Sequence, residues 1–453
     1  MVNWSQSQVR SSGNCQRYEA TARIRRFLDQ KHPSTPCLVI DLPTVRDRFT
    51  AICNALPGVD VFYAVKANPT PEVVELLAAE GSNFDVAGRN EIDLCLAKGA
   101  AAESIMYSNP IKKARDIAYA YGQGVRLFVS DSEQDVRGVA THAPGAKIML
   151  RILVNSNGSI YPFGKKFGCT PDMATDLLRL ARELGLVPLG VAFHAGSQQL
   201  DPNGWDAAIA DAADVTAKMR TEGVELTAVN LGGGLPASYR DAPPPVAEYA
   251  AAITASIAKH FGSHRPNVMI EPGRAVVAES GLIRSEVVLV SKKSYSDQRR
   301  WVFLDIGRYG GLAETEGEAI AYPLETSKDG GPVGPVVIAG PTCDADDVLY
   351  QNTCYELPLD LSAGDHVDLV CTGAYTSTYS SVAFNGFGPL ATYCVDDWSD
   401  WCPKSRARPS RSACSQASMC SPNSRESAPN CWTTSSSCDM RLARRWRRLT
   451  RPS

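Results

Sequence analysis

The sequence predicts an α/β chain: a (β/α)8 barrel followed by an all-β domain. Three observations carry that expectation. Between Cys53 and Arg274, eight short apolar runs alternate with stretches of helical periodicity, the pattern of a parallel strand followed by its covering helix. After Arg274 the helical stretches stop, and β-rich runs are separated by turns such as Asp329-Gly330-Gly331-Pro332. Polar residues fall at the C-terminal ends of the eight runs, the face on which such barrels carry chemistry.

The first run, Val61–Val65, belongs to Val61-Phe62-Tyr63-Ala64-Val65-Lys66-Ala67-Asn68-Pro69. β-branched and aromatic residues make it a buried strand, and Pro69 stops the ladder just beyond. The other runs are Asn83–Val86, Ile105–Tyr107, Arg126–Val129, Ile148–Val154, Leu189–Phe193, Leu226–Asn230 and Val268–Ile270. Helix-like spans separate them: Pro71–Ala79, Asn90–Ala97, Lys112–Tyr121, Ser132–Val139, Pro171–Leu184, Trp205–Arg220 and Val246–His260. Beyond the barrel, Val287–Ser291, Trp301–Leu304, Val336–Ala339, Val367–Cys371 and Ser381–Phe384 are expected strands, and Cys37–Asp41 is placed to pair with them. The expected division is an N-terminal extension 1–34, a barrel 35–274, a β domain 275–396 joined by strand 37–41, and a tail 397–453.

The polar residues line up in order. Lys66 follows the first run; Asp85 closes the second, with Glu91 just after. Asn109 follows the third and Asp131 the fourth, and Arg151 sits in the fifth. His194 and Ser197 end the sixth, Gly232-Gly233-Gly234 follows the seventh, and Glu271-Pro272-Gly273-Arg274 follows the eighth. A buried lysine ammonium must be paired or lose its proton. A neutral amine can condense with an aldehyde cofactor; a lysine that snorkels to water does neither. Glycines let backbone N–H groups approach a phosphate, although most glycine triplets only mark a turn. Alone, Glu271 reads equally as an ion-pair partner of Arg274, and His194 as a satisfied core histidine.

Hydrophobic residues make up 44% and charged residues 21%, the balance of a soluble globular chain. No apolar run reaches the length of a membrane span. Arg10, Arg17, Arg23, Arg25 and Arg26 lie near the N-terminus without an apolar segment, so no secretory signal is expected. Ala20–Gln30 reads as a surface helix or as an amphipathic targeting helix. Nine of the fourteen cysteines are widely spaced between Cys15 and Cys394. They read as small buried hydrophobes of a reducing compartment, without zinc-ligand spacing. A cytoplasmic location is expected, with no metal.

From Trp401 on, the chain is rich in Ser, Arg, Pro and Cys, with eleven Lys/Arg against Glu426 and Asp439. The whole chain is −3, so the body before it is acidic. Such a switch reads as a disordered, solvated tail. Arg441–Arg451 could touch nucleic acid or anionic lipid, but neither partner is expected.

Tyr63-Ala64-Val65-Lys66-Ala67-Asn68 resembles the lysine-bearing strand of the pyridoxal-phosphate-dependent basic amino-acid decarboxylases with an alanine-racemase-like barrel. The resemblance runs from about Thr35 to Cys394. It extends to Gly340-Pro341-Thr342-Cys343-Asp344, Gly373-Ala374-Tyr375-Thr376 and Phe384-Asn385-Gly386-Phe387. It implies pyridoxal 5′-phosphate anchored on Lys66, with Gly232, Gly233, Gly234, Gly273, Arg274 and Tyr375 around the phosphate. It puts Glu271 against the pyridine nitrogen, which favours a carbanion at the α-carbon; a racemase of this class typically presents arginine there. His194 would stack on the ring, with Asp85, Glu91, Arg151 and Ser197 nearby. His194-Ala195 departs mildly from the family, which more often has valine second.

Cys343 resembles the cysteine that protonates the α-carbon after carbon dioxide leaves, and Asp344 the aspartate that binds the distal amine. Cys-Asp, rather than Cys-Glu-Ser, argues against diaminopimelate. In the family these two residues reach a neighbouring subunit's barrel, which implies a homodimer with shared sites; Lys166 matches a lysine that pairs with an acid across that contact. Tyr322 falls among the substrate-binding positions. Pro323 stands where eukaryotic-type enzymes place a second amine-binding aspartate, and Leu304–Pro323 looks more like a bacterial subgroup. Glu314, Glu318 and Glu325 are the candidates to replace it. The implied reaction is decarboxylation of L-ornithine to putrescine, in polyamine biosynthesis. The alternatives are lysine or another diamino acid, and a non-catalytic homologue that binds a regulatory partner.

Overall fold

Strands sealed on both faces read as continuous apolar runs, and the barrel strands here are three to six residues of that kind. The computed structural model describes residues 12–397. The chain opens with α1 (Ser12–Lys31), β1 (Cys37–Asp41) and α2 (Leu42–Ala55). The barrel then runs through β2 (Val59–Ala64), α3 (Pro71–Ala79), β3 (Asn83–Val86), α4 (Arg89–Ala97), β4 (Ile105–Tyr107), α5 (Ala114–Gly122), β5 (Leu127–Ser130), α6 (Glu133–His142) and β6 (Lys147–Arg151). A short β7 (Ser159–Tyr161) precedes α7 (Pro171–Glu183) and β8 (Val187–Ala192). After them come β9 (Ser197–Gln199), α8 (Asp206–Thr221), β10 (Ala228–Asn230), α9 (Val246–Phe261), β11 (Asn267–Ile270) and the one-turn α10 (Arg274–Val277).

Eight of these strands close into a parallel barrel in the order β10-β11-β2-β3-β4-β5-β6-β8, while β7 and β9 pair separately as a two-stranded ribbon. Phe62, Met106, Leu127, Val129, Met149, Ala192, Ala228 and Met269 pack together inside the barrel. They plug it below the strand ends, so chemistry is confined to its rim. Asp41 caps α2 by accepting the Thr44 N–H at 3.0 Å, a device worth about 1 kcal/mol.

The second sheet holds β12 (Gly281–Ser291), β13 (Arg300–Leu304), β14 (Leu324–Thr326), β15 (Val333–Ala339), β16 (Val348–Pro358) and β17 (His366–Val370), in the order β14-β17-β12-β13-β15-β16. β1 joins it antiparallel to β12 and parallel to β18 (Ala391–Val395). In α1, Ala20, Ile24 and Leu28 are spaced four apart and buried, so the helix docks by one stripe. Burying Ile24 and Leu28 contributes roughly 1.5–3 kcal/mol each. Arg23 adds a two-pronged bond to the Asp41 carboxylate, at 2.7 and 2.8 Å.

Two sequence expectations need correction. Ser381–Phe384 forms no strand: Ala383 and Asn385 take left-handed angles (φ 72° and 50°), and residues 381–389 are exposed. β14, β16 and β18 have no counterpart among the expected strands; in β16, Gln351-Asn352-Thr353 interrupts the apolar run. The expected basic tail lies outside the described residues apart from Asp397. Among the described residues, no helix is long and apolar enough to cross a membrane.

Candidate active site

β2 ends at Ala64, and Val65–Ala67 form a single 3₁₀ turn. Lys66 therefore leaves from a turn at the barrel rim rather than from the strand itself. That turn is pinned from three sides. Ala64 N–H donates to Pro272 O at 3.1 Å, Tyr375 N–H to Ala67 O at 2.9 Å, and the Asn68 side-chain amide to Gly373 O at 2.8 Å. The β-domain loop bearing Tyr375 is thus bonded to the lysine turn, which local sequence does not reveal.

Lys66 Nζ donates to the Asp85 carboxylate at 2.5 Å. Asp85 is buried near the end of β3 and also accepts from the Ser108 hydroxyl. Burial alone would lower the Lys66 ammonium. Asp85, and then Glu271, outweigh it and hold the amine above its ordinary value. Of the two states open to a buried lysine, the structure has the paired one, although 41% of the side chain stays open to the cavity.

Glu271 follows β11. Its Oε1 accepts from the Asn230 side-chain amide at 2.7 Å. Burial, and next the neighbouring Asp85, push its carboxyl up to about 7, against Lys66, Arg151 and Asn230. His194 follows β8, and Phe163 meets its ring edge-on at 4.5 Å. Burial first, then the positive Arg151 and Lys66, drive its pKa well below the ordinary value. The ring is neutral, and because Nδ1 accepts the Gly196 N–H at 3.1 Å, its proton sits on Nε2. No carboxylate among the described residues lies within ion-pairing distance of Arg151; its guanidinium stands 5.2 Å from the Phe167 ring.

Gly232, Gly233 and Gly234 follow β10. A Cβ on Gly232 would stand 2.1 Å from Phe193 O, one on Gly233 2.8 Å from both Glu271 O and His194 Nε2, and one on Gly234 2.6 Å from Gly196 O. Only glycine fits, and the backbone stays bare toward the cavity. Gly273 is equally confined, since its Cβ would lie 2.8 Å from the Ala67 Cβ. Arg274 is buried beside this cradle. Its Nη atoms donate to Tyr239 Oη (2.8 Å), Ser197 Oγ (3.1 Å) and both oxygens of Glu314 (2.7 and 2.6 Å). Its Nε is buried without an acceptor. The Tyr375 ring lies 4.8 Å from the guanidinium. A bare glycine cradle, an unsatisfied guanidinium N–H and a serine hydroxyl are what a phosphate group takes, so these residues fit a phosphorylated aldehyde cofactor with Lys66 at its other end.

Lys66, Arg151, His194, Ser197, Gly233, Gly234, Glu271, Gly273, Arg274 and Tyr375 all line one cavity of about 520 Å³, as does Asn109. Asp85 stands behind Lys66. Glu91, in the first turn of α4, reaches back to accept the Ala87 N–H at 2.6 Å. Asp131 accepts the Gly168 N–H, and Lys166 is exposed. Tyr322 is not brought to the cavity. It is fully buried, edge-on to Tyr239, with its backbone bonded to Tyr350 and Tyr355 hydroxyls. Cys343 and Asp344 lie outside this chain's cavity too. Cys343 is exposed, its N–H bonded to Asn385 Oδ1 at 3.1 Å.

Sequence reasoning missed the walls: Tyr161, Phe163, Phe167 and Tyr379 line the cavity. It also missed Glu316. Glu314 is spent on Arg274. Glu318 accepts from the Gln351, Asn352 and Thr353 N–H groups, and Glu325 pairs with Arg25. Glu316 is exposed, lines the cavity and has no ionic partner among the described residues. The signal was its spacing, two residues from either anchored glutamate.

Residues 42–278 match the family model "Pyridoxal-dependent decarboxylase, pyridoxal binding domain". The lysine/ornithine decarboxylase of Selenomonas ruminantium is 34% identical over 369 residues, 81% of this chain and 91% of that protein. The Vibrio vulnificus lysine/ornithine decarboxylase complexed with cadaverine superposes with a TM-score of 0.75 at 31% identity, covering 83% of this chain and 98% of that one. The same enzyme complexed with putrescine gives 0.74 at the same identity and coverage.

Proposed function

The chain belongs to the pyridoxal-dependent decarboxylases, and from that premise we propose that it releases carbon dioxide from a basic L-amino acid, with L-ornithine, giving putrescine, preferred over lysine. The observation that carries the substrate class is the Glu316 carboxylate. It lines the cavity without an ionic partner among the described residues, whereas Glu314, which also lines it, is bonded to Arg274, Glu318 to backbone N–H groups and Glu325 to Arg25. A cavity that already holds the Lys66 end has there an anion for a substrate's distal ammonium, and Pro323 leaves the alternative position without one.

What the cofactor supplies when bound is a sink for the electron pair that departing carbon dioxide leaves at the α-carbon. Lys66 would hold its aldehyde end, and Asp85 Oδ2, bonded to the Lys66 amine, would take the proton that the ammonium must lose. Glu271 would serve the pyridine nitrogen and neutral His194 the ring face. Bare N–H groups of Gly233 and Gly234, the Arg274 Nε and Ser197 would hold the phosphate.

Cys343 and Asp344 act on a partner's cavity in a homodimer. The exposure of Cys343 in a single chain supports this, as do Val382, Phe384 and Phe387, 65%, 37% and 42% exposed beside it. Cys343 returns a proton to the α-carbon, and Asp344 joins Glu316 on the distal ammonium. The proposed place of this reaction is polyamine formation in the cytoplasm.

The test is kcat/KM for ornithine, lysine and meso-diaminopimelate on wild type, Glu316→Gln and Asp344→Asn. Once the bound substrate and the partner chain close the distal end from water, removing one partner of that charge pair costs about 2–5 kcal/mol. Each variant should therefore lose roughly 30-fold or more on ornithine, at about 1.4 kcal/mol per tenfold. Lysine should still turn over, because one methylene is resolved by only about 10–200-fold. A preference for diaminopimelate, or unchanged kinetics in both variants, would overturn the reading.

A further inference from the structure

Asp347 has no part in the chemistry just described, yet it is only 2% exposed and forms no ion pair among the described residues. Its oxygens are satisfied by protein N–H and O–H groups. Oδ2 accepts from the Thr342 N–H at 3.1 Å and the Thr342 hydroxyl at 2.7 Å. Oδ1 accepts from the Arg308 N–H at 2.9 Å. Its backbone closes the same loop: Gly340 N–H donates to Asp347 O at 2.8 Å, and Asp347 N–H to Asp344 O at 3.2 Å. Two glycines leave room for the carboxylate. A Cβ on Gly307 would stand 2.1 Å from Oδ1, and one on Gly340 2.4 Å from it.

One buried anion therefore ties the loop after β13 to the loop joining β15 and β16, and the second of these carries Cys343 one residue beyond Thr342. Cys343 is exposed and Asp344 half-buried, so packing alone gives this loop little order and the knot sets where they point. We propose that Asp347 is a positioning residue: it holds the 340–347 loop so that Cys343 and Asp344 are presented together to the partner's cavity. This rests on the reading of Cys343 as the proton donor.

A correctly placed proton gives one diamine per carbon dioxide. A proton that reaches the cofactor's aldehyde carbon instead gives, after addition of one water, an amino-aldehyde and the amine form of the cofactor, and no diamine. Asp347→Asn must turn an NH2 toward one set of N–H donors, so the loop shifts. A misplacement of about 1 Å can cost roughly 100-fold. Asp347→Asn should approach that loss in kcat, with less than one diamine per carbon dioxide. Thr342→Val, which removes one bond, should move both in the same direction by less. In cofactor-free protein, alkylation of Cys343 relative to exposed Cys354 should change in both variants. Asp368→Asn breaks a buried pair with Arg284 in the same β domain; it should lower thermal stability and leave the diamine ratio at one.

If Cys343→Ala lowers the ratio while Asp347→Asn and Thr342→Val keep it at one, the positioning role is wrong and the function stands. If Cys343→Ala itself keeps one diamine per carbon dioxide, the proton-donor reading falls and takes this inference with it. Should Asp347→Asn fail to fold, Thr342→Val carries the test.

Discussion

Lys66 and Glu271 show how one buried corner sets two charge states in opposite ways. Asp85 is the second largest influence on each, raising the lysine and raising the glutamate. Lys66→Ala should abolish turnover and cofactor binding through an amine, and the barrel should still fold. It leaves Asp85 without its cation. Because Lys66 is open to the cavity, the expected loss is about 1–3 kcal/mol, below the ~3–5 kcal/mol of a fully buried pair. Adding Asp85→Asn should recover part of it in denaturant melts; no recovery would show that the pair is not what the folded state loses. Glu271 makes a separate prediction. Its folded carboxyl lies above the ordinary value, at about 7, so the stability tied to its neutral form is fully present below its unfolded pKa and is lost as pH rises through about 7. Cofactor-free Glu271→Gln should match wild type near about pH 5 and exceed it by about pH 8.5. A gap independent of pH would contradict the burial argument.

At the scale of elements, the site depends on turns that admit no side chain. Gly232 takes φ 66°, and a Cβ there meets the Phe193 carbonyl oxygen. Gly232→Ala should cost about 1–3 kcal/mol through overpacking, lower the melting temperature and weaken pyridoxal phosphate binding in equilibrium dialysis. Unchanged affinity would detach the turn from the phosphate. The same scale explains what the sequence made legible. Lys66, His194, Glu271 and Arg274 stand just past apolar runs, so period and position together reveal them. β16 hides because its polar centre faces Glu318, a residue far away in sequence. Ser381–Phe384 resembles a strand in composition but makes no ladder, because two residues turn left-handed. Glu316 could not be told from Glu314 or Glu318 until their partners were visible. Tyr322 looked available and is instead packed among tyrosines.

For the whole molecule, the decisive fact is a separation. One chain brings Lys66, Glu271, His194 and Arg274 around a single cavity and leaves an exposed Cys343 and a half-buried Asp344 on a loop outside it, beside uncovered aromatic residues. On the proposed reading, in which the reaction uses both sets, a second copy completes the site. Subunit mixing tests this directly. Lys66→Ala and Cys343→Ala are each prepared, mixed under conditions of demonstrated subunit exchange, and assayed for putrescine formed from ornithine. In a mixed dimer, one of the two sites is free of both substitutions. Random exchange of two variants that each form little putrescine alone should therefore restore about a quarter of wild-type putrescine formation. Activity that stays at the level of the separate variants after exchange would contradict a site shared between chains.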